Sequence, residues 1–425
     1  MANPPNGASD AARLQHLESR FAALCAAELQ LDLTRGKPCT AQLDLSDGLL
    51  AMLSKPLRSQ DGIDVRNYGH LDGLPEAKRL GATLLGVEPT DVLVGGNSSL
   101  SLMYCCILFA HAFGLRPGAA PWSHEGKVRF LCPVPGYDRH FAICDTFGIE
   151  MIPVPLTGAG PDMDEVEALV RRDPTIKGIW CVPKYSNPTG ETYSDETVAR
   201  IAALPRAAGS GFVVMWDNAY AVHDLGPERI QLADLMGLAR KAGTADAVLL
   251  TASTSKVTYA GAGISFLASA PETLARFAKH LGAHTIGANK VNQLAHARFL
   301  PDTATLETHM RRHAAILAPK FRCVLETLEQ RLQALNIAEW SQPKGGYFVS
   351  LDTQPGLARQ VVELCTQAGV KLTPAGATFP LGQDPENRNI RIAPTFPSLD
   401  ELQQSMEVLV TAIELATLRA RSTGA

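Results

Sequence analysis

A chain of 425 residues is long enough for two domains, or for one large and one smaller lobe. Its 46% apolar and 19% charged residues are those of an ordinary globular protein, and a formal net charge of −4 argues against electrostatic nucleic-acid binding. No apolar run approaches the roughly 20 residues that cross a bilayer, which argues against a membrane span.

The opening stretch, MANPPNGASDAARLQ, has neither a basic n-region nor an apolar h-region, so it does not read as a secretory signal. Disorder is expected in the first few residues and the last four. Residues from about 9 to 30 read as a helix, which LDLTRGKP leaves. Short apolar runs then recur: DVLVGG, VRFLCPVPGY, KGIWCVPKYSNPTG, GFVVMWDNAY, DAVLLTASTSK and GISFLAS. Each has strand length and ends in Gly, Pro, Asn, Asp or Ser. Helix-like stretches such as MDEVEALVRRD and SDETVARIAALPRAAG lie between them. Strands apolar on both faces that alternate with helices imply an α/β fold with a mostly parallel, covered sheet. From about residue 305 a long helical pattern leads into GGYFVSLD, GVKLTPAG and NIRIAPTF, then a helix from Leu399. This reads as a smaller α+β domain. The expected division is an N-terminal segment over 1–50 that packs with the small domain, a large domain over 51–305 and the small domain over 306–425.

The nine cysteines are scattered and form no C-x-x-C pair. They read as reduced, mostly buried thiols, and so point to the cytoplasm; no Cys/His cluster suggests a metal.

In parallel sheets the chemistry gathers at the carboxyl ends of the strands. Asp217, in WDNAY, ends one strand, with Tyr220 three residues on. A carboxylate there needs a partner, though a cap or a core ion pair would also satisfy it. Asn187, in YSNPTG, and Tyr137, in VPGYDRH, end two others, and each alone is compatible with an ordinary turn or with packing. GGNSSLSLMY places Ser98 and Ser99 where a helix opens, which makes an anion site from free N–H groups and hydroxyls. Last comes STSK: Lys256 just past an apolar run, fenced by Ser253 and Ser255. A lysine is costly to bury, so this one reads as a lysine with a chemical task.

Taken together and in this order, these motifs resemble the fold type I pyridoxal-phosphate enzymes, and among them the class I aminotransferases. The likeness runs from about Leu31 to Pro394. The wording LDLTRGKP, NYGHLDGLPEAKRL, VGGNSSLSLMY, PVPGYDRH, YSNPTG, WDNAY and STSK is most similar to a bacterial aspartate aminotransferase subgroup. The resemblance implies a seven-stranded, mostly parallel sheet and pyridoxal 5′-phosphate as cofactor. It implies that Lys256 forms the internal aldimine and moves the proton between Cα and C4′. Asp217 then pairs with the pyridine nitrogen, Tyr220 and Asn187 with the phenolic oxygen, and Tyr137 stacks on the ring. Ser98, Ser99, Ser253 and Ser255 bind the phosphate. Tyr68 reaches the phosphate of the neighbouring subunit, which implies a homodimer with shared sites. Arg391 grips the substrate α-carboxylate, which Gly36 approaches through its backbone, with Asn187 beside them. The reaction implied is a ping-pong transfer of the amino group from L-aspartate to 2-oxoglutarate, giving oxaloacetate and L-glutamate.

Two departures stand out. The position eight residues after the lysine, an arginine on the cofactor phosphate in the family pattern, is Ile264. The cation for a distal carboxylate is also open among Arg35, Lys37, Arg139, Lys184, His284 and Lys290. Alternatives are an alanine–glyoxylate or aromatic-type aminotransferase, or a β-lyase. A cofactor-binding regulator is disfavoured, since about 30 residues without a basic stretch precede LDLTRGKP.

Overall fold

The computed structural model describes residues 10–54 and 56–423. Its centre is a seven-stranded sheet of β1 (Val92–Val94), β2 (Arg129–Val134), β3 (Glu150–Pro155), β4 (Ile176–Cys181), β5 (Val213–Asp217), β6 (Val248–Ser253) and β7 (Ser265–Ala268). The strand order is β1-β7-β6-β5-β4-β2-β3. All neighbours are parallel except the pairs made by β7, which runs against both β1 and β6. Every residue of β4 and β5 is buried, as a central strand covered on both faces requires. The covering helices form for local reasons. Met163–Arg172 buries Met163, Val166, Leu169 and Val170 on one stripe, and the Asp162 carboxylate caps its first N–H groups. Asp195–Ala203 starts the same way, on the Ser194 hydroxyl.

Six of the seven strands follow the predicted runs. The seventh, β3, carries Pro153 and Pro155 and lies at the edge of the sheet, where a strand tolerates lost N–H donors.

The second assembly is a three-stranded antiparallel sheet of β8 (Ala338–Trp340), β9 (Val349–Thr353) and β10 (Asn389–Ile392), with β9 in the middle. Helix α1 (Asp10–Ala26) adds Leu17 and Phe21 to its core, beside the long helices α4 (Thr303–Leu332) and α5 (Leu399–Thr423). Leu31–Asp32 pairs in parallel with Val370–Lys371 and stitches the N-terminal segment to this part of the chain. Helix α5 runs through Ser422 and Thr423, so the expected disorder of the last four residues is wrong for those two. The expected disorder of the first residues falls outside the described residues.

Candidate active site

The strand ends converge. Asp217 is the last residue of β5 and Ser253 the last of β6, with Lys256 in the turn that follows. Tyr137 lies three residues past β2, at the N-cap of helix α3 (Asp138–Thr146), and Asn187 sits in the turn after β4. Helix α2 (Ser99–Phe113) points its N-terminus at the same place, with Ser98 as its cap. These residues, with Tyr220, Ser255, Gly36 and Arg391, line one cavity of about 640 Å³. Of the expected site residues only Tyr68 is elsewhere: it is 80% exposed and does not line the cavity.

The floor of the cavity is electrostatically unusual. Burial holds the Lys256 amine below the ordinary lysine range, and the nearby Asp217 carboxylate opposes that shift. The amine lies over the rings of Tyr220 and Tyr347, 5.1 and 5.7 Å from their centroids. Asp217 is buried; its Oδ2 is 3.2 Å from His140 Nε2, and its Oδ1 has no hydrogen-bond partner among the described residues. His140 was not singled out from the sequence. Its signal was the spacing in YDRH, since one helical turn past Tyr137 puts it on the same face. Its ring stacks on Trp180 at 4.2 Å and meets the Tyr137 ring edge-on at 5.0 Å. Burial pushes the Tyr137 hydroxyl up to about 12, helped by Asp217, and drives that of Tyr220 well above its usual range.

At one end the cavity is a cup of hydroxyls. Ser98 Oγ accepts from Leu100 N, Ser253 Oγ bonds to Ser255 Oγ at 3.1 Å, and Ser255 Oγ donates to Asn97 O at 3.0 Å. The free N–H groups of α2 and its dipole favour an anion there. Ile264 does not take part. It is 2% exposed, packs in the core with Val257 and Leu294, and lies outside the cavity lining.

At the other end stands Arg391, on β10 and buried. One guanidinium nitrogen donates to Asp138 (3.2 Å) and Asn187 Oδ1 (3.3 Å), the other to Thr373 Oγ1 (3.2 Å) and Thr34 O (3.5 Å). The guanidinium carbon lies 4.9 Å from the centre of the Phe348 ring. Gly36 faces the same ring, and a Cβ there would sit 2.5 Å from Phe348 Cζ, so only glycine fits. The sequence reading missed Asp138, Thr373 and Phe348, which act on the site through Arg391.

The six candidate cations separate. Arg35, Lys37 and Arg139 line the cavity. Lys184 is buried against Asp224 (3.0 Å) and Ala221 O, Lys290 donates to Gly69 O, and His284 ends the helix Pro271–His284; none of these three lines it.

The family model described as aspartate amino-transferase matches residues 6–424. The chain is 48% identical over 403 residues to an aspartate aminotransferase of Corynebacterium glutamicum, which covers 95% of this chain and 93% of that protein. The crystal structure of an aspartate transaminase from C. glutamicum superposes with a TM-score of 0.94 at 46% identity, over 98% of both chains. In fold alone the chain also matches an α-aminoadipate aminotransferase of Thermus thermophilus, with a TM-score of 0.73 at 22% identity over 96% of this chain and 98% of that one.

Proposed function

Since the chain belongs to the aspartate aminotransferase family and is an aminotransferase, we propose that it moves the amino group of L-aspartate to 2-oxoglutarate in two half-reactions on pyridoxal 5′-phosphate. The observation that carries this reading is the one cavity shared by Lys256, Asp217 and Arg391, with a hydroxyl-lined anion cup at one end.

The residues fit the cofactor on two counts. The unpartnered Asp217 Oδ1 suits a protonated ring nitrogen, and the N-terminus of α2 with four serines suits a phosphate. When bound, the cofactor supplies an aldehyde that takes up the amino group and a ring that accepts the electron pair left at Cα. Asp217 would hold the ring nitrogen protonated, and His140 Nε2 fixes the carboxylate from the other side. Tyr137 would cover the ring face and exclude water, while Tyr220 and Asn187 would donate to the phenolic oxygen. The Lys256 amine, its proton affinity lowered by burial, takes the proton from Cα of the amino acid and would return it on the far side of the nitrogen, at the former aldehyde carbon.

Arg391 receives the α-carboxylate, a planar fork for a planar anion. Asn187 Oδ1 and Thr373 keep that fork in place. The distal carboxylate of a dicarboxylic substrate is met by Arg35, Lys37 or Arg139, the three candidate cations that line the cavity. The phosphate charge is met by hydroxyls, helix N–H groups and, in a homodimer, Tyr68 of the neighbouring subunit. Nine free cysteines fit a cytoplasmic enzyme.

The test is the visible absorption of purified protein before and after L-aspartate is added without oxo acid. Bleaching of the yellow band toward the near ultraviolet supports both cofactor and donor. A band that ignores aspartate and bleaches with L-alanine or an aromatic amino acid overturns the donor, and a colourless protein that takes up no cofactor overturns the cofactor assignment.

A further inference from the structure

The turn that carries Lys256 is held mainly by its neighbours' side chains. Its backbone donors converge on one oxygen: Val257 N and Thr258 N both reach Thr254 O at 2.8 Å. The carbonyls of Lys256 and Val257 are taken by side chains. Lys256 O accepts from His223 Nε2 at 3.2 Å and, weakly, from the Tyr347 hydroxyl at 3.4 Å. Val257 O accepts from His309 Nε2 at 2.7 Å. A carbonyl can only accept, so both rings carry their proton on Nε2. His223 Nδ1 is then bare, and it is buried without a partner among the described residues.

A second layer holds these donors. Gln42 Oε1 accepts from Cys39 N, which orients the amide; its Nε2 donates to the Tyr347 oxygen at 2.9 Å and to His313 Nδ1 at 3.1 Å. His313 is thereby fixed with its proton on Nε2; its 3.1 Å approach to His309 Nε2 sets donor beside donor, so the two rings do not bond to each other and both direct their N–H to Val257 O. All five side chains are buried. Burial holds His223 down to about 4 and His313 to about 3, so the rings remain neutral donors through the physiological range.

The five come from separate parts of the chain. Gln42 follows the Thr34–Lys37 stretch that lines the cavity, and Tyr347 precedes Phe348, the ring under Arg391. His309 and His313 lie one turn apart on α4, and His223 follows Tyr220 after β5. Leaving two buried carbonyls unpaired would be costly, but apolar packing and backbone turns could have avoided exposing them to side chains at all. Instead a polar cluster is directed at the carbonyl of Lys256 and at the one that follows it.

We propose that Gln42, His223, His309, His313 and Tyr347 are positioning residues of the reaction, which clamp the Lys256–Val257 backbone and so fix the arc through which Lys256 Nζ moves. The inference rests on the reading of Lys256 as the proton carrier. The clamp also joins the segment that meets substrate to the lysine that acts on it.

The test compares His309→Leu, which removes one of the two imidazole donors to Val257 O at similar volume, with His309→Gln, which retains an amide donor. On the holoenzyme one measures kcat and KM for L-aspartate, the pH midpoint of the visible absorbance change, and Tm. His309→Leu is expected to lower kcat about ten- to a hundredfold with KM within about threefold, and to move the midpoint, because small misplacements of a reacting group have effects of this size. His309→Gln should recover most of both. Should His309→Leu not fold, Tyr347→Phe is the milder probe, expected to lower kcat about threefold or more and to move the midpoint in the same direction. Unchanged kcat and midpoint in the variant that folds overturn the proposal, as do equal losses in Leu and Gln variants that follow Tm with the midpoint fixed. Lys256→Ala separates the two readings: if it retains transamination the role of the lysine falls, whereas an inactive Lys256→Ala beside a normal His309→Leu overturns the clamp alone.

Discussion

Arg391→Lys isolates the value of the guanidinium fork. The arginine offers two terminal nitrogens, one bonded to Asp138 and Asn187 and the other to Thr373 and Thr34 O. Lysine keeps the charge but presents one nitrogen, and it lacks the planar group whose carbon lies 4.9 Å from the centre of the Phe348 ring. A carboxylate that would accept two parallel charge-assisted bonds then keeps one. The loss is about 1.5–3 kcal/mol, or roughly 12- to 160-fold in kcat/KM. Because amino acid and oxo acid share the α-carboxylate, the factor should be the same, within about threefold, for L-aspartate in one half-reaction and 2-oxoglutarate in the other. Asp138 keeps a cationic partner, so Tm should stay within a few degrees. The assay is steady-state transamination with each substrate varied in turn. A loss below about threefold, or one confined to a single half-reaction, would refute the assignment of Arg391 to the α-carboxylate.

Other expectations concern the frame of the site. Gly36→Ala drives a methyl group to within 2.5 Å of Phe348 Cζ; overpacking should cost about 1–3 kcal/mol in denaturant unfolding and lower kcat/KM by displacing the ring under Arg391. Ile264→Arg, which introduces the arginine of the family pattern, puts a cation into the apolar core that also holds Val257 and Leu294; it should lower Tm sharply and leave cofactor affinity, measured by absorbance titration, no tighter. The His223 pKa is held below its unfolded value, at about 4, so its contribution to stability is fully present above about pH 6.5 and is lost as pH falls through about 4. The loss is up to about 3 kcal/mol, and His223→Gln should flatten the dependence of unfolding free energy on pH over that window; an unchanged slope would count against the buried neutral ring.

The sequence made the central strands readable because they are buried on both faces and end in turn residues; β4 and β5 are apolar but for Lys177 and the terminal Asp217. It hid β3, whose prolines and half-exposed pattern contradict a strand unless it is known to lie at an edge. Side chains at strand ends were legible as a set, since their order in the chain carries the resemblance. Residues that act through others were not. His140, Thr373 and Phe348 touch Asp217, Arg391 and Gly36 through contacts that span up to 312 positions, from Gly36 to Phe348, and no local pattern reports such pairs. The distal cations were likewise unranked until the fold separated the three that line the cavity from the three that do not.

The prolines of β3 have a bearing on how crowded solutions treat this protein. Glu150 N donates inward to Val128 O and Leu156 N to Val134 O, so the odd-numbered amides between them face away from the sheet. Two of those three outward positions, Pro153 and Pro155, carry no hydrogen at all, and only Met151 can offer a donor to a stranger. At the opposite margin β1 has three residues, too short a template for another chain to read. A wide sheet that would otherwise recruit partners edge to edge is thus closed at one side by chemistry and at the other by brevity. Replacing Pro153 and Pro155 with valine would reopen a row of donors and is the change most apt to turn a dispersed enzyme into an aggregating one.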